Sequence, residues 1–79
     1  HDPWADPEEA MHEYGVRLLA WDALPRADAI VAAVAHKGYR GLGVEDLSRK
    51  LVKGGSFIDV KAGFDQAALA ASGIRVWRL

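Results

Sequence analysis

An unbroken run of apolar residues follows Asp28 within residues 28–39, DAIVAAVAHKGY, and the rest of the chain is arranged around it. The run is too short to span a membrane and lacks the alternation of a half-exposed strand, so it predicts a strand buried on both faces. Strands of that kind belong to parallel sheets covered by helices on each side. His36 and Lys37 then emerge at its carboxyl end, the rim where open α/β sheets bind ligands.

The flanking patterns supply the other elements. Asp6 stands where an N-cap would, Pro7 at the first helical position and Glu9 three residues after the cap, which predicts a helix over 7–14 opened by a capping box. Gly15 supplies the left-handed stop, and Ala10, Met11 and Tyr14 share one face. Residues 16–19 form a short strand candidate. Residues 23–27, with Pro25, read as one helical turn or a loop, and residues 40–43 (RGLG) have little regular structure. From Val44 the positions Val44, Leu47, Leu51 and Val52 make one apolar helical stripe, with Glu45/Arg49 and Asp46/Lys50 as acid-before-base pairs on the solvent side. Gly54-Gly55 is expected to stop this helix. Residues 56–60 (SFIDV) read as a second buried strand followed by Lys61, Asp65 as the cap of a helix over 66–72 ended by Gly73, and residues 74–79 as a last strand. Helices and strands alternating through short connections predict an α/β fold with a mainly parallel sheet.

Composition narrows the function. A chain of 79 residues makes one small domain, with 10 Lys+Arg against 11 Asp+Glu and a formal charge of −1. There is no basic excess of the sort that dominates nucleic-acid affinity. The absence of Cys (a count of 0) removes disulfides, thiolate metal sites and a Cys nucleophile together. No apolar run approaches about 18 residues and no charged-then-apolar leader opens the chain, so a soluble intracellular protein is the expectation. The opening HDPW reads as the exit from a strand into a turn, as in a piece of a longer protein.

Candidate chemistry gathers at two strand ends. If the strands ending at His36-Lys37 and at Asp59-Val60-Lys61 are neighbours, His36, Lys37, Asp59 and Lys61 line one rim, with lysine charge suited to phosphate or carboxylate. Pattern alone leaves open the alternative of solvated residues at strand ends. His1, His12 and His36 match no metal-ligand spacing, and Glu8 and Glu9 are explained by capping and the helix dipole. No G-x-G-x-x-G follows a strand, and the glycines at 41, 43, 54 and 55 make no phosphate loop. Trp4, Trp21 and Trp77 are expected in the core.

The order HDPWADPEEA, HEYG, DAIVAAVAHKGY, FIDVKAGFD and VWRL resembles the carboxyl-terminal UDP-binding domain of the UDP-glucose/GDP-mannose dehydrogenase family. Within it, the likeness is to bacterial UDP-N-acetylglucosamine and UDP-N-acetylgalactosamine 6-dehydrogenases that serve capsule, O-antigen and Vi-type polysaccharide synthesis. It covers essentially the whole chain and rests most on Asp2-Pro3-Trp4 with Glu8-Glu9-Ala10, Ala33-Val34-Ala35-His36-Lys37, Asp59-Val60-Lys61 and Trp77-Arg78-Leu79.

The resemblance implies a cytoplasmic, homodimeric parent enzyme that oxidises the sugar C6 alcohol to a carboxylate in two NAD-dependent steps. NAD would be bound mainly outside this chain, and the catalytic Cys and its lysine partner also lie elsewhere. Residues 1–79 would then be a single partial domain, inactive alone, whose partners are the UDP-sugar and the remaining domains of the same enzyme, with no nucleic acid and no membrane. The implied fold is a three-layer Rossmann-like sheet truncated at its N-terminal side, with residues 16–19 deprived of a neighbour.

The family's Asp-x-Lys/Arg turn, whose basic residue reaches toward the bound nucleotide sugar, falls on Asp59 and Lys61, and His36 and Lys37 occupy the neighbouring rim. Two departures stand out. Relatives commonly read His-Lys-Glu-Phe where this chain has His36-Lys37-Gly38-Tyr39, and Asp-Val-Lys-Gly-Ile-Phe where it has Asp59-Val60-Lys61-Ala62-Gly63-Phe64, the glycine displaced by one. The competing reading from another class is a free-standing small α/β interaction module without catalytic activity.

Overall fold

Helix α1 (Pro7–Tyr14) is built by local chemistry at both ends. The Asp6 carboxylate accepts the N–H of Glu8 at 2.9 Å, and Gly15, at φ 64°, closes the helix with its N–H on the Met11 carbonyl at 3.0 Å. The cap is therefore one-sided, engaging Glu8 where the spacing predicted a reciprocal box with Glu9. The computed structural model describes residues 1–33, 42–61 and 63–78.

After a 3-10 turn at Trp21–Ala23 come strand β1 (Ala27–Ala32), helix α2 (Val44–Arg49), strand β2 (Leu51–Asp59), helix α3 (Gln66–Ala71) and strand β3 (Arg75–Arg78). The strands form one parallel sheet in the order β1-β2-β3. This is the α/β arrangement with a parallel sheet that the alternation predicted, in the truncated Rossmann-like form that the resemblance implied. Asp65 caps α3 by accepting the N–H of Ala68 at 3.0 Å, and Gly73 ends the segment at φ 84°.

The core is a single cluster of Leu47, Leu51, Phe57, Leu69 and Ile74, with Ile30, Ala32, Phe64 and Val76 packed against it. In register, Ile30, Phe57 and Val76 make one cross-strand row, and Val31, Ile58 and Trp77 make the next. Side chains alternate between faces along a strand, so the first row meets α2 and α3 and the second points the other way. Both crossovers step in the same direction across the sheet, and crossovers of one hand place their helices on one face.

Four further expectations change. The run after Asp28 does not form a strand buried on both faces: β1 lies at one edge of this sheet, with Val31 61% exposed and Ile30 half-buried. Burial comes from neighbours, and β2, paired on both sides, takes the central place. Residues 16–19 form no strand; the Leu19 carbonyl accepts from His1 Nδ1 at 2.7 Å, and no described strand offers them a ladder partner.

The third change concerns α2, which ends at Arg49, so that Leu51 and Val52 begin β2. Gly54 and Gly55 are not a helix stop but a bulge inside that strand. Ala27 pairs with Leu51 and Ala29 with Ser56, so the strand loops out between them. Gly54 sits at φ 79°, and a Cβ on Gly55 would come 2.9 Å from the Val52 carbonyl oxygen, so backbone conformation and close approach call for these glycines. Leu51 still reaches the core, at 2% exposure, from the strand. Fourth, of the three tryptophans only Trp21 packs against the core, while Trp4 and Trp77 are 70% and 61% exposed. The core is small and filled by aliphatic side chains and Phe57, and Trp77 projects from the face opposite α2 and α3.

Candidate functional site

The carboxyl ends of β1 and β2 are neighbours, as the rim reading required. Ala32 pairs with Asp59, and the Val60 N–H extends the ladder to the Ala32 carbonyl at 3.1 Å. Arg78 of β3 stands on the other side of Asp59. Thus Asp59 and Lys61 lie at the end of the central strand. His36 and Lys37 fall outside the described residues.

Asp59 is 2% exposed. A buried carboxylate is costly unless its oxygens are satisfied, and here each accepts a backbone N–H: Oδ1 from Gly63 and Oδ2 from Phe64, both at 3.1 Å. The chain thereby folds back over the strand end. Phe64 is held further by its ring, edge-on to Phe57 with centroids 5.1 Å apart, and by its carbonyl, which accepts from the Arg78 guanidinium at 3.0 Å. Lys61 sits exposed on the loop so formed. Its ammonium is a compact charge on a flexible stem, able to follow a phosphate oxygen.

Sequence pattern located Asp59 and Lys61 but gave no sign of Arg78 or Phe64 as their supports. Arg78 acts across the sheet, 14 positions from Phe64, a separation that no local spacing encodes, whereas Phe64 lies five positions from Asp59 and shows its role only through its contacts. The i, i+4 pairs on α2 divide: Arg49 and Glu45 lie 3.8 Å apart, whereas Asp46 caps the Gly43 N–H at 2.9 Å. Lys50 instead donates to the Leu24 and Asp22 carbonyls at 2.7 and 3.3 Å, tying the 3-10 turn to the sheet.

A mainly apolar cleft of about 430 Å³ follows β1, walled by Trp21, Leu24, Ile30, Phe57 and Phe64. Phe64 thus contributes to both the cleft and the anchored loop, while Lys61 stands outside the cleft wall. Among the described residues no group of His, Asp or Glu is placed to hold a metal ion, and no helix is long and apolar enough to cross a membrane.

Comparison with known proteins identifies the family. The family described as "UDP-glucose/GDP-mannose dehydrogenase family, UDP binding domain" matches residues 1–66. The UDP-N-acetyl-D-glucosamine 6-dehydrogenase of Pseudomonas aeruginosa is 42% identical over 52 residues, which are 66% of this chain and 12% of the relative. The enzyme of the same name from Salmonella typhi is 39% identical over 46 residues, 58% of this chain and 11% of the relative. The chain therefore spans about an eighth or less of the length of these curated relatives. No solved structure matches it. With the match covering the capped helix, β1, β2 and the whole Asp59–Lys61 rim, the chain belongs to the UDP-glucose/GDP-mannose dehydrogenase family, of which it carries the UDP binding domain.

Proposed function

We propose that residues 1–79 form part of the substrate-binding domain of an NAD-dependent UDP-N-acetylhexosamine 6-dehydrogenase, and that Lys61 meets the nucleotide sugar. The observation that carries this reading is the exposed lysine on an anchored loop at the carboxyl end of the central strand, inside the segment matched to a UDP binding domain. A diphosphate needs positive charge held where it can approach, and a lysine at a strand end supplies it. His36 and Lys37 belong to the same reading as further contacts.

In this reading the parent enzyme is a cytoplasmic homodimer that oxidises the C6 alcohol of the sugar to a carboxylate for surface polysaccharide synthesis. This chain supplies no catalytic residue and is inactive alone. NAD, which accepts the hydride, is held by the rest of the parent.

The test is calorimetric titration of UDP, with uridine as the uncharged comparison, into the wild-type chain and Lys61→Ala. Heat of binding for UDP that is absent for uridine and weakened by Lys61→Ala supports the assignment. Equal behaviour of UDP and uridine, or no effect of the substitution, overturns the role of Lys61. A chain indifferent to UDP at millimolar concentration favours the interaction-module reading.

A further inference from the structure

The loop that carries Lys61 is fastened at four points, three of which converge on Phe64. Its N–H is taken by Asp59 and its carbonyl by Arg78, while its ring rests on Phe57. The Gly63 N–H, one residue earlier, is taken by the other oxygen of the same Asp59 carboxylate. Asp59 is buried to 2% exposure, whereas Lys61 on the loop it holds is exposed.

A carboxylate exposed beside a diphosphate would repel it. One buried against two backbone N–H groups contributes shape instead, and a lysine whose backbone is held in place loses less freedom on binding than one on a loose loop. Resting on the reading of Lys61 as the ligand contact, we infer that Asp59 is a positioning residue. It acts on the nucleotide sugar through Lys61 by holding the Gly63 and Phe64 backbone that follows it, with Arg78 and Phe64 as its supports, and does not itself meet the ligand.

Asp59→Asn separates the two roles, because it keeps the size of the side chain but replaces one accepting oxygen with an amide nitrogen that cannot accept. Two readouts are taken on the full chain: hydrogen exchange of the Gly63 and Phe64 amides without ligand, and UDP affinity of wild type, Asp59→Asn, Lys61→Ala and the double variant. Expected are Gly63 or Phe64 exchange faster by roughly tenfold with the Phe57 and Ile58 amides unchanged, as in a local opening. Expected also is weaker UDP binding in each single variant, with the double variant no weaker than Lys61→Ala alone.

Unchanged loop exchange in Asp59→Asn overturns the inference. So do affinity losses that multiply in the double variant, since they mark Asp59 as an independent contact. Should Asp59→Asn unfold the chain, Arg78→Ala at the exposed side of the same loop decides the matter by the same exchange readout. If the wild type binds no UDP while the loop amides respond as expected, the ligand assignment falls and the loop anchor stands.

Discussion

Phe57 is fully buried and also seats the ring of Phe64, so its replacement removes a core side chain and the floor of the anchored loop together. Phe57→Ala should cost about 3–5 kcal/mol, a large share of the stability of so small a domain. Trp77, though larger, is 61% exposed, and Trp77→Ala should cost about 1 kcal/mol or less. Urea unfolding of the two variants checks the order; a larger loss for Trp77→Ala would contradict this account of the core. At this scale the sequence was only partly legible. Asp59 and Lys61 could be read because strand-end position is a local property, but the exposure of Trp77 depends on which face the helices cover. The bond from Arg78 to the Phe64 carbonyl likewise spans 14 positions, beyond any local pattern.

The elements divide along the same line. Helices α1 and α3 follow from cap and stop residues adjacent in sequence, and both form over nearly the predicted residues. Asp6→Ala should destabilise α1 by about 1 kcal/mol, while Glu9→Ala should leave its stability nearly unchanged because the cap engages Glu8. Amide exchange in α1 distinguishes the two, and equal effects would restore the reciprocal box. The glycine pair was harder to read, since Gly-Gly marks a helix stop and a strand bulge alike. Gly54→Ala must place a side chain at φ 79°, which costs roughly 1–2 kcal/mol. Gly55→Ala meets the Val52 and Asp28 carbonyl oxygens at 2.9 and 3.1 Å, and should lower the urea midpoint by at least as much. A neutral Gly55→Ala would mean that the bulge is not as close-packed as described.

Across the whole molecule, the sheet order β1-β2-β3 with α2 and α3 on one face explains why a predominantly apolar strand such as β1 ends half exposed. Periodicity reports the composition of a strand, whereas its neighbours decide its burial. The same order brings the ends of β1, β2 and β3 into one row, Ala32, Asp59 and Arg78, and the loop beyond that row carries Lys61. The account therefore turns on whether a nucleotide reaches this loop. The most direct measurement is a ¹⁵N amide shift map of the chain titrated with UDP. Shifts concentrated at Val60, Lys61, Gly63 and Phe64, and diminished by Lys61→Ala, are the predicted result. Shifts confined to the β1 cleft, or none at all, would contradict it.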